Sequence, residues 1–357
     1  YFFIMKILII ALSGIGDALM FTPALNLLRK QNPDAKIDAL VMFKSAGEIL
    51  ENNPNLNNVY HFEFMKEGFG KSFRYILGLR KKYDATINVY PSNRKEYNVI
   101  SFLIGAGKRA AVKYLRKDFR NLGFLNNIRV LENDSSHNVQ TNIKMCEKLV
   151  DKKFESETPF EIFIEDNHKK KAIEFLSAEG IESGNTIIGF HPGCATFKNH
   201  IKRRWEPEKF AALGKKLIED HKAKILIFGG PEEDELKEEI KERINSSDAI
   251  IVRSESILQN AAIMEQCKIF VTNDSSQMHI ASALKLKTVA IIGPTNPAYI
   301  HPWKTEHKIV TLNLDCAPCF FYSPKPLICY RTDVKFKCIK ELSVDMVYNN
   351  VVKFLIY

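Results

Sequence analysis

Thr272-Asn273-Asp274-Ser275-Ser276-Gln277-Met278-His279 closes an apolar run that starts at Ile269, and a second apolar run from Thr288 ends in Gly293-Pro294-Thr295-Asn296-Pro297. A short apolar run bounded by turn residues reads as a buried parallel strand. Asp and Ser are helix N-cap residues, so the first run should pass directly into a helix. The free N–H groups and partial positive charge of a helix N-terminus suit a diphosphate. The segment therefore reads as strand, cap, helix and strand, with a ligand expected where the strand meets the helix.

The same rhythm extends outward in both directions. Residues 186–190, 224–228 and 250–252 read as strands, and 206–220, 232–244 and 257–266 as helices. Nearer the start, strands are expected at 6–12, 36–42, 59–62, 85–89 and 109–112. Helices are expected there at 18–30, 46–52, 73–82, 93–103 and 139–149. Alternation of this kind predicts parallel sheets with helices on both faces. Between the two series lies a stretch with Pro159, an expected short strand at 160–164 and a charged helix at 168–179. The linker is placed near 150–165.

With 357 residues, two domains are the natural division. The expected boundaries are 1–160, then 161–342 including a cysteine-rich segment at 315–339, then a C-terminal helix at 343–357. The fold class is α/β: two Rossmann-like doubly wound domains facing across a cleft. Residues 1–12 are apolar, but Lys6 interrupts them and no small-residue cleavage site follows. They read as a strand with an upstream extension at 1–4, not as a signal peptide. No apolar run approaches the roughly 20 residues that cross a bilayer. A cytoplasmic protein is expected, touching at most the inner face of the membrane.

The formal net charge of +9 favours an anionic partner. Lys108, Arg109, Lys113, Arg116, Lys117 and Arg120 crowd one segment, opposed by Asp118 alone. They read as a solvated face or as a platform for an anionic glycan. No nucleic-acid fold signature or interleaved stacking set accompanies them, so nucleic acid is not expected.

Three further joints carry candidate chemistry. Ser13-Gly14-Ile15-Gly16-Asp17 follows the first strand, and its glycines permit a tight turn. It is not a dinucleotide fingerprint, because Leu19 holds the third glycine position. Asp17 reads as a first-turn helix acid or as a general base. His191-Pro192-Gly193-Cys194 follows another strand and leads to Arg203-Arg204-Trp205. A glycine loop there can cradle phosphate, and Arg203 can neutralise a departing diphosphate. The plainer alternative is a solvated basic run. In Gly229-Gly230-Pro231-Glu232-Glu233 the acids suit ribose hydroxyls, Glu232 being the one named for the donor, or they merely favour the helix dipole.

Cys316-x2-Cys319-x9-Cys329-x8-Cys338 has the spacing of a four-cysteine knuckle for structural zinc or iron, with Pro318 and Pro324 tightening the loop. Free thiols and, less compatibly with a reducing compartment, disulfides are the other outcomes. No Asp-x-Asp pair of the kind that holds a donor through a divalent metal occurs. Catalysis without a cofactor is therefore expected.

Taken together, these segments resemble glycosyltransferase family 9, the heptosyltransferases, enzymes of the GT-B fold that mostly build lipopolysaccharide core. Residues 6–25 are similar to the family's N-terminal signature, whose aspartate, here Asp17, is its proposed catalytic base. Arg203-Arg204-Trp205 with Phe210 is similar to the family's basic-Trp-Pro segment, in which the basic residue two before Trp meets the donor phosphates. Asp274-Ser275-Ser276-x-x-His279 is similar to its donor motif, with Ser276 where the family has Gly. Gly293-Pro294-Thr295-Asn296-Pro297 is similar to its Gly-Pro-Thr-Asp-Pro.

The resemblance implies inverting transfer of a sugar, heptose from ADP-heptose, to a hydroxyl of an anionic glycan or glycolipid. The implied donor set is Gly193, Cys194, Arg203, Glu232, Asp274, Ser275, Ser276 and His279. The acceptor set is Gly16, Lys108, Arg109, Lys113, Arg116 and Arg120. Peripheral membrane contact and an oligomer are further expectations. Two other readings stay open. One is a GT-B transferase using a different nucleotide sugar or a protein acceptor. The other is a non-catalytic sugar-nucleotide-binding assembly protein.

Overall fold

A computed structural model describes residues 4–321 and 326–356; Tyr1 to Phe3 and Pro324 lie outside the described residues. The chain forms two compact units, Tyr1–Phe163 and Ile164–Tyr357. In the first, the elements run β1 (Lys6–Ala11), α1 (Ile15–Gln31), β2 (Lys36–Val41), α2 (Lys44–Glu51), β3 (Asn58–His61), α3 (Gly68–Gly78), β4 (Ala85–Asn88), α4 (Lys95–Ile104), β5 (Lys108–Lys113), β6 (Ile128–Leu131) and α5 (Asn138–Val150). The strands pair in the order β3-β2-β1-β4-β5-β6, all parallel. Ile7 to Leu12 are buried without a break, because helices cover both faces of the sheet.

The second unit repeats this plan. It runs α6 (Asp166–Ala178), β7 (Ile187–His191), α7 (Pro207–His221), β8 (Lys224–Ile227), α8 (Asp234–Ile244), β9 (Ala249–Ile251), α9 (Ile257–Met264), β10 (Ile269–Asn273), α10 (Ser276–Ala283), β11 (Lys287–Ile291), α11 (Pro297–Ile300), β12 (His307–Val310), α12 (Lys337–Lys340) and α13 (Val344–Ile356). The order is β12-β11-β10-β7-β8-β9, again all parallel. Val347, Val351 and Phe354 of α13 enter the same core as Phe190, Trp205, Phe210 and Leu217.

Each sheet winds one way from its first strand and then the other way from its fourth. Chain direction therefore reverses between β1 and β4 in one unit and between β7 and β10 in the other. A crevice opens at the carboxyl ends of the strands on either side of such a reversal, and ligands bind there.

Three local expectations need correction. Residues 160–164 form no strand. The Glu161 N–H donates to Thr22 Oγ1 at 2.9 Å, and its carboxylate accepts from Asn26 and Asn55, so the segment is pinned along α1 with no sheet edge to join. Helix α3 starts at Gly68 and stops at Gly78, five residues before the expected start at 73, because Gly70 is absorbed into its first turn instead of breaking it. The edge strands β6 and β12, each four residues long, were not expected at all.

Candidate active site

In the first unit, Gly14 is the N-cap of α1 and Asp17 stands half-buried in its first turn, beside the β1–β4 reversal. The loop after β4 supplies its surroundings. Ser13 Oγ donates to Pro91 O at 3.0 Å, and Tyr97 OH donates to Leu12 O at 2.9 Å. Tyr114 OH accepts from the Ser92 N–H at 2.5 Å. Burial pushes both phenols above their ordinary range, and the charge of Asp17 pushes them further the same way. Both therefore stay protonated beside the carboxylate. Gly16 is buried in the same turn.

The basic segment does not form one platform. Lys113, Arg116 and Arg120 lie exposed at or beyond the carboxyl end of β5, on the sheet edge that carries Asp17. Arg116 also stands 3.8 Å from Asp134. Lys108 and Arg109 open the same strand, on the opposite edge, about 16 Å away at a strand's rise per residue. There they serve the backbone: Lys108 Nζ donates to Leu149 O at 3.2 Å, and Arg109 donates to Leu125 O and Ala106 O. A strand crossing the sheet necessarily separates its two ends, and sequence clustering hides this.

In the second unit, the loops after β7, β8, β10 and β11 converge. Arg203 Nη1 donates to Asp274 Oδ2 at 2.6 Å, and both side chains are nearly buried. Thr295 Oγ1 donates to the same oxygen at 2.6 Å. Asn273 ties the loops together, its amide donating to Pro192 O and its carbonyl accepting from the Trp205 N–H. The Trp205 ring is buried, with Nε1 donating to Leu342 O at 2.9 Å. Arg203 is thus held by a backbone that cannot easily move.

A second chain of contacts lies beside the first. Ser275, the N-cap of α10, has its Oγ 3.0 Å from His191 Nδ1. His191 Nε2 is 3.2 Å from Glu233 Oε2, and Arg204 donates to Glu233 Oε1 at 3.0 Å and to Cys194 O at 2.9 Å. The Gly230 N–H also reaches Glu233. Gly193 lies so close to this carboxylate that a Cβ there would stand 1.7 Å from Glu233 Oε1, so a side chain at position 193 would push Glu233 out of its present contacts.

The remaining expected donor residues divide by accessibility. Ser276 opens α10 and is half-buried. His279 is buried one turn further on, where burial first, then His301, against the pull of Asp274, brings its pKa down to about 4. It is neutral at physiological pH. Cys194 is buried and donates to His200 O at 3.2 Å, so its thiol is turned into the protein. Glu232 is exposed on its turn, and its neighbour Glu233 enters the network.

Glu233, His191, Asn273 and Thr295 were not singled out from sequence. Glu233 could not be told from Glu232 before the turn was known. His191 left a usable signal: it is the polar residue that ends an otherwise apolar strand.

Burial alone would raise the pKa of Glu233, but the hydrogen bond and charge of His191, the charge of Arg204 and the Gly230 N–H together bring it below 4.5. A depressed carboxylate contributes stability above its unfolded pKa and loses it as pH falls through the folded value. Glu233→Gln should therefore lower the thermal midpoint at neutral pH and flatten its decline below about pH 4.5. Melting curves between neutral and strongly acidic pH check this; an unchanged acid limb would exclude Glu233 as a contributor.

The four C-terminal cysteines lie near one another: burial first, then Cys319, Cys329 and Cys316, push the Cys338 thiol up to about 11. Cys316 and Cys319 are exposed, Cys329 is half-buried and Cys338 is buried against Gly293. Arg331 donates to Cys316 Sγ, and the Phe336 N–H to Cys329 Sγ. Among the described residues, no three His, Cys, Asp or Glu side chains are placed to hold a metal ion. Among the same residues, no helix is long and apolar enough to cross a membrane.

Known proteins were compared with this geometry. Glycosyltransferase family 9 (heptosyltransferase) matches residues 73–326. Lipooligosaccharide heptosyltransferase 2 of Campylobacter jejuni (serotype O:6) is 34% identical over 189 residues, covering 51% of this chain and 55% of that protein. The match thus spans about half the length of that relative. Lipopolysaccharide heptosyltransferase 2 of Escherichia coli K12 is 27% identical, covering 86% of this chain and 88% of that protein. The solved structure of E. coli ADP-heptose lps heptosyltransferase II shares the fold, with a TM-score of 0.75, 21% identity and 99% of each chain covered.

Proposed function

This chain belongs to glycosyltransferase family 9, and from that premise we propose that it transfers heptose from ADP-heptose to a hydroxyl of lipopolysaccharide core, with inversion at the anomeric carbon. The observation that carries the reading is the Arg203–Asp274–Thr295 cluster beside the N-terminus of α10, where Ser275 makes no side-chain cap bond, at the β7–β10 reversal. A cation fixed next to free helix N–H groups suits a diphosphate.

In this reading the second unit holds the donor. Arg203 and the N–H groups around Gly193, Ser275 and Ser276 take up the charge that develops on the diphosphate. Neutral His279 orients the nucleotide by hydrogen bonding. The first unit handles the acceptor. Asp17 removes the hydroxyl proton as the acceptor oxygen attacks the anomeric carbon. The bond from that carbon to the diphosphate oxygen breaks, and ADP leaves with the electron pair. Lys113, Arg116 and Arg120 attract an anionic acceptor, one presented at the inner membrane face.

The four thiols of the C-terminal segment are a donor set suited to zinc or iron. Among the described residues they are not placed as a metal-holding group, and no step of the reaction is routed through an ion.

The test is calorimetric titration with ADP, UDP, GDP and dTDP, followed by turnover with ADP-heptose. Selective ADP binding and heptose transfer are expected. Preference for another nucleotide would replace the donor, and binding of none would remove the transferase reading.

A further inference from the structure

Most large apolar side chains of the first unit are buried, and four of the exposed ones fall in a line. Met65 is 77% exposed, Phe69 86%, Phe73 41% and Leu77 40%. They follow one another at intervals of four residues, from the turn before α3 to its last turn. Residues four apart lie on one side of a helix, so the three within α3 form a stripe. Ile76, seven residues after Phe69, borders the stripe on the side of the helix that is buried and packs on α4. Phe69 and Phe73 stack on each other, with ring centroids 6.0 Å apart and planes 12° from parallel. Neither ring is needed to fill the core.

The stretch that holds the stripe carries an excess of positive charge, most of it just past the last turn of α3. Residues 63–82 carry six lysines and arginines against two glutamates. Lys66 and Lys71 neutralise those two, at 3.0 Å from Glu63 and 2.9 Å from Glu67. Arg74, Arg80, Lys81 and Lys82 are exposed and form no ion pair among the described residues. Isolated exposed apolar residues are ordinary, but an aligned set with unpaired cations along and just past the same helix marks an interaction surface.

We propose that this face of α3 docks on an anionic lipid bilayer, with Met65, Phe69, Phe73 and Leu77 entering the headgroup region and the cations meeting lipid phosphates. The features are those of an interfacial amphipathic helix: aromatic and aliphatic tips on one side, Lys and Arg beside them. A second copy of this face is a poor occupant, because apposed copies would bring their unpaired cations together. The start of α3 follows β3, so Met65 and Phe69 lie on the sheet edge that also carries Asp17. The inference deepens the proposed function, since a lipid-anchored acceptor would be met at that edge. The binding itself needs neither donor nor acceptor.

The experiment is co-sedimentation of the full chain with vesicles of phosphatidylethanolamine and phosphatidylglycerol, and with vesicles of phosphatidylcholine alone. Binding to the anionic vesicles is expected, weakening as salt is raised. Phe69→Ser/Phe73→Ser should reduce it at least about tenfold. Arg80→Gln/Lys81→Gln/Lys82→Gln should weaken it and remove most of its salt dependence. Both variants should keep the wild-type melting temperature and ADP affinity. Wild-type protein that binds ADP but not vesicles would overturn the proposal, as would undiminished binding by the double Phe variant. A wild-type dimer that this variant converts to monomer, with vesicle binding intact, would also overturn it. Vesicle binding without ADP binding would sink the donor reading and leave this inference standing.

Discussion

Asp17→Asn is expected to lower kcat for heptose transfer by about 100- to 10,000-fold, the usual worth of a positioned general base. The affinity for ADP should stay within a few fold of wild type. Asn keeps the size of the side chain and removes only its basicity. Asp17 lies in the first turn of α1 after the Gly14 N-cap, where the isosteric Asn should be tolerated. The ADP contacts proposed above come from residues 193–279 and do not include it. Steady-state kinetics with ADP-heptose, paired with calorimetry, separate the two quantities. A large fall in ADP affinity with kcat preserved would mean that Asp17 binds donor and is not the base.

Arg203→Gln should cost on the order of 100- to 1,000-fold in kcat, because it removes the cation proposed to meet the departing diphosphate. ADP affinity should fall with it. The complication is Asp274, nearly buried and 2.6 Å from the guanidinium. Removing one member of such a pair strands the other, typically at about 3–5 kcal/mol. Arg203→Gln/Asp274→Asn removes both charges and should recover much of the melting temperature without recovering turnover. Arg204→Gln is the control. Its guanidinium is committed to Glu233 and to Cys194 O, so its loss should lower stability more than transfer. If Arg203→Gln turned over normally, the diphosphate would have to be neutralised elsewhere.

Much of this could be read from the chain before the fold was known. Short apolar runs such as 7–12 and 269–271 read as strands buried on both faces because the Gly, Ser and Asp residues after them mark the joints. Arg203, Asp274 and Ser275 stood out because each follows a strand end. What escaped depends on non-local geometry. Strands β6 and β12 sit at sheet edges, half-exposed, and carry no apolar run. Residues 160–164 alternate like a strand, but Thr22, Asn26 and Asn55 claim their hydrogen bonds. Lys108 and Arg120 are near in sequence yet belong to opposite edges of a sheet. Which of Glu232 and Glu233 faces inward is decided by one turn of backbone, and no composition rule supplies that.

The position of α13 also orders events during synthesis. The first unit has its last strand by Leu131 and its last helix by Val150, so it can close while the rest of the chain is still being made. The second unit cannot. Val347, Val351 and Phe354 cover a core whose strands, β7 to β12, are finished by Val310. Until α13 emerges, one face of that sheet is covered only in part, by α7 and α8, and the nascent chain keeps apolar surface open to misassociation in this interval.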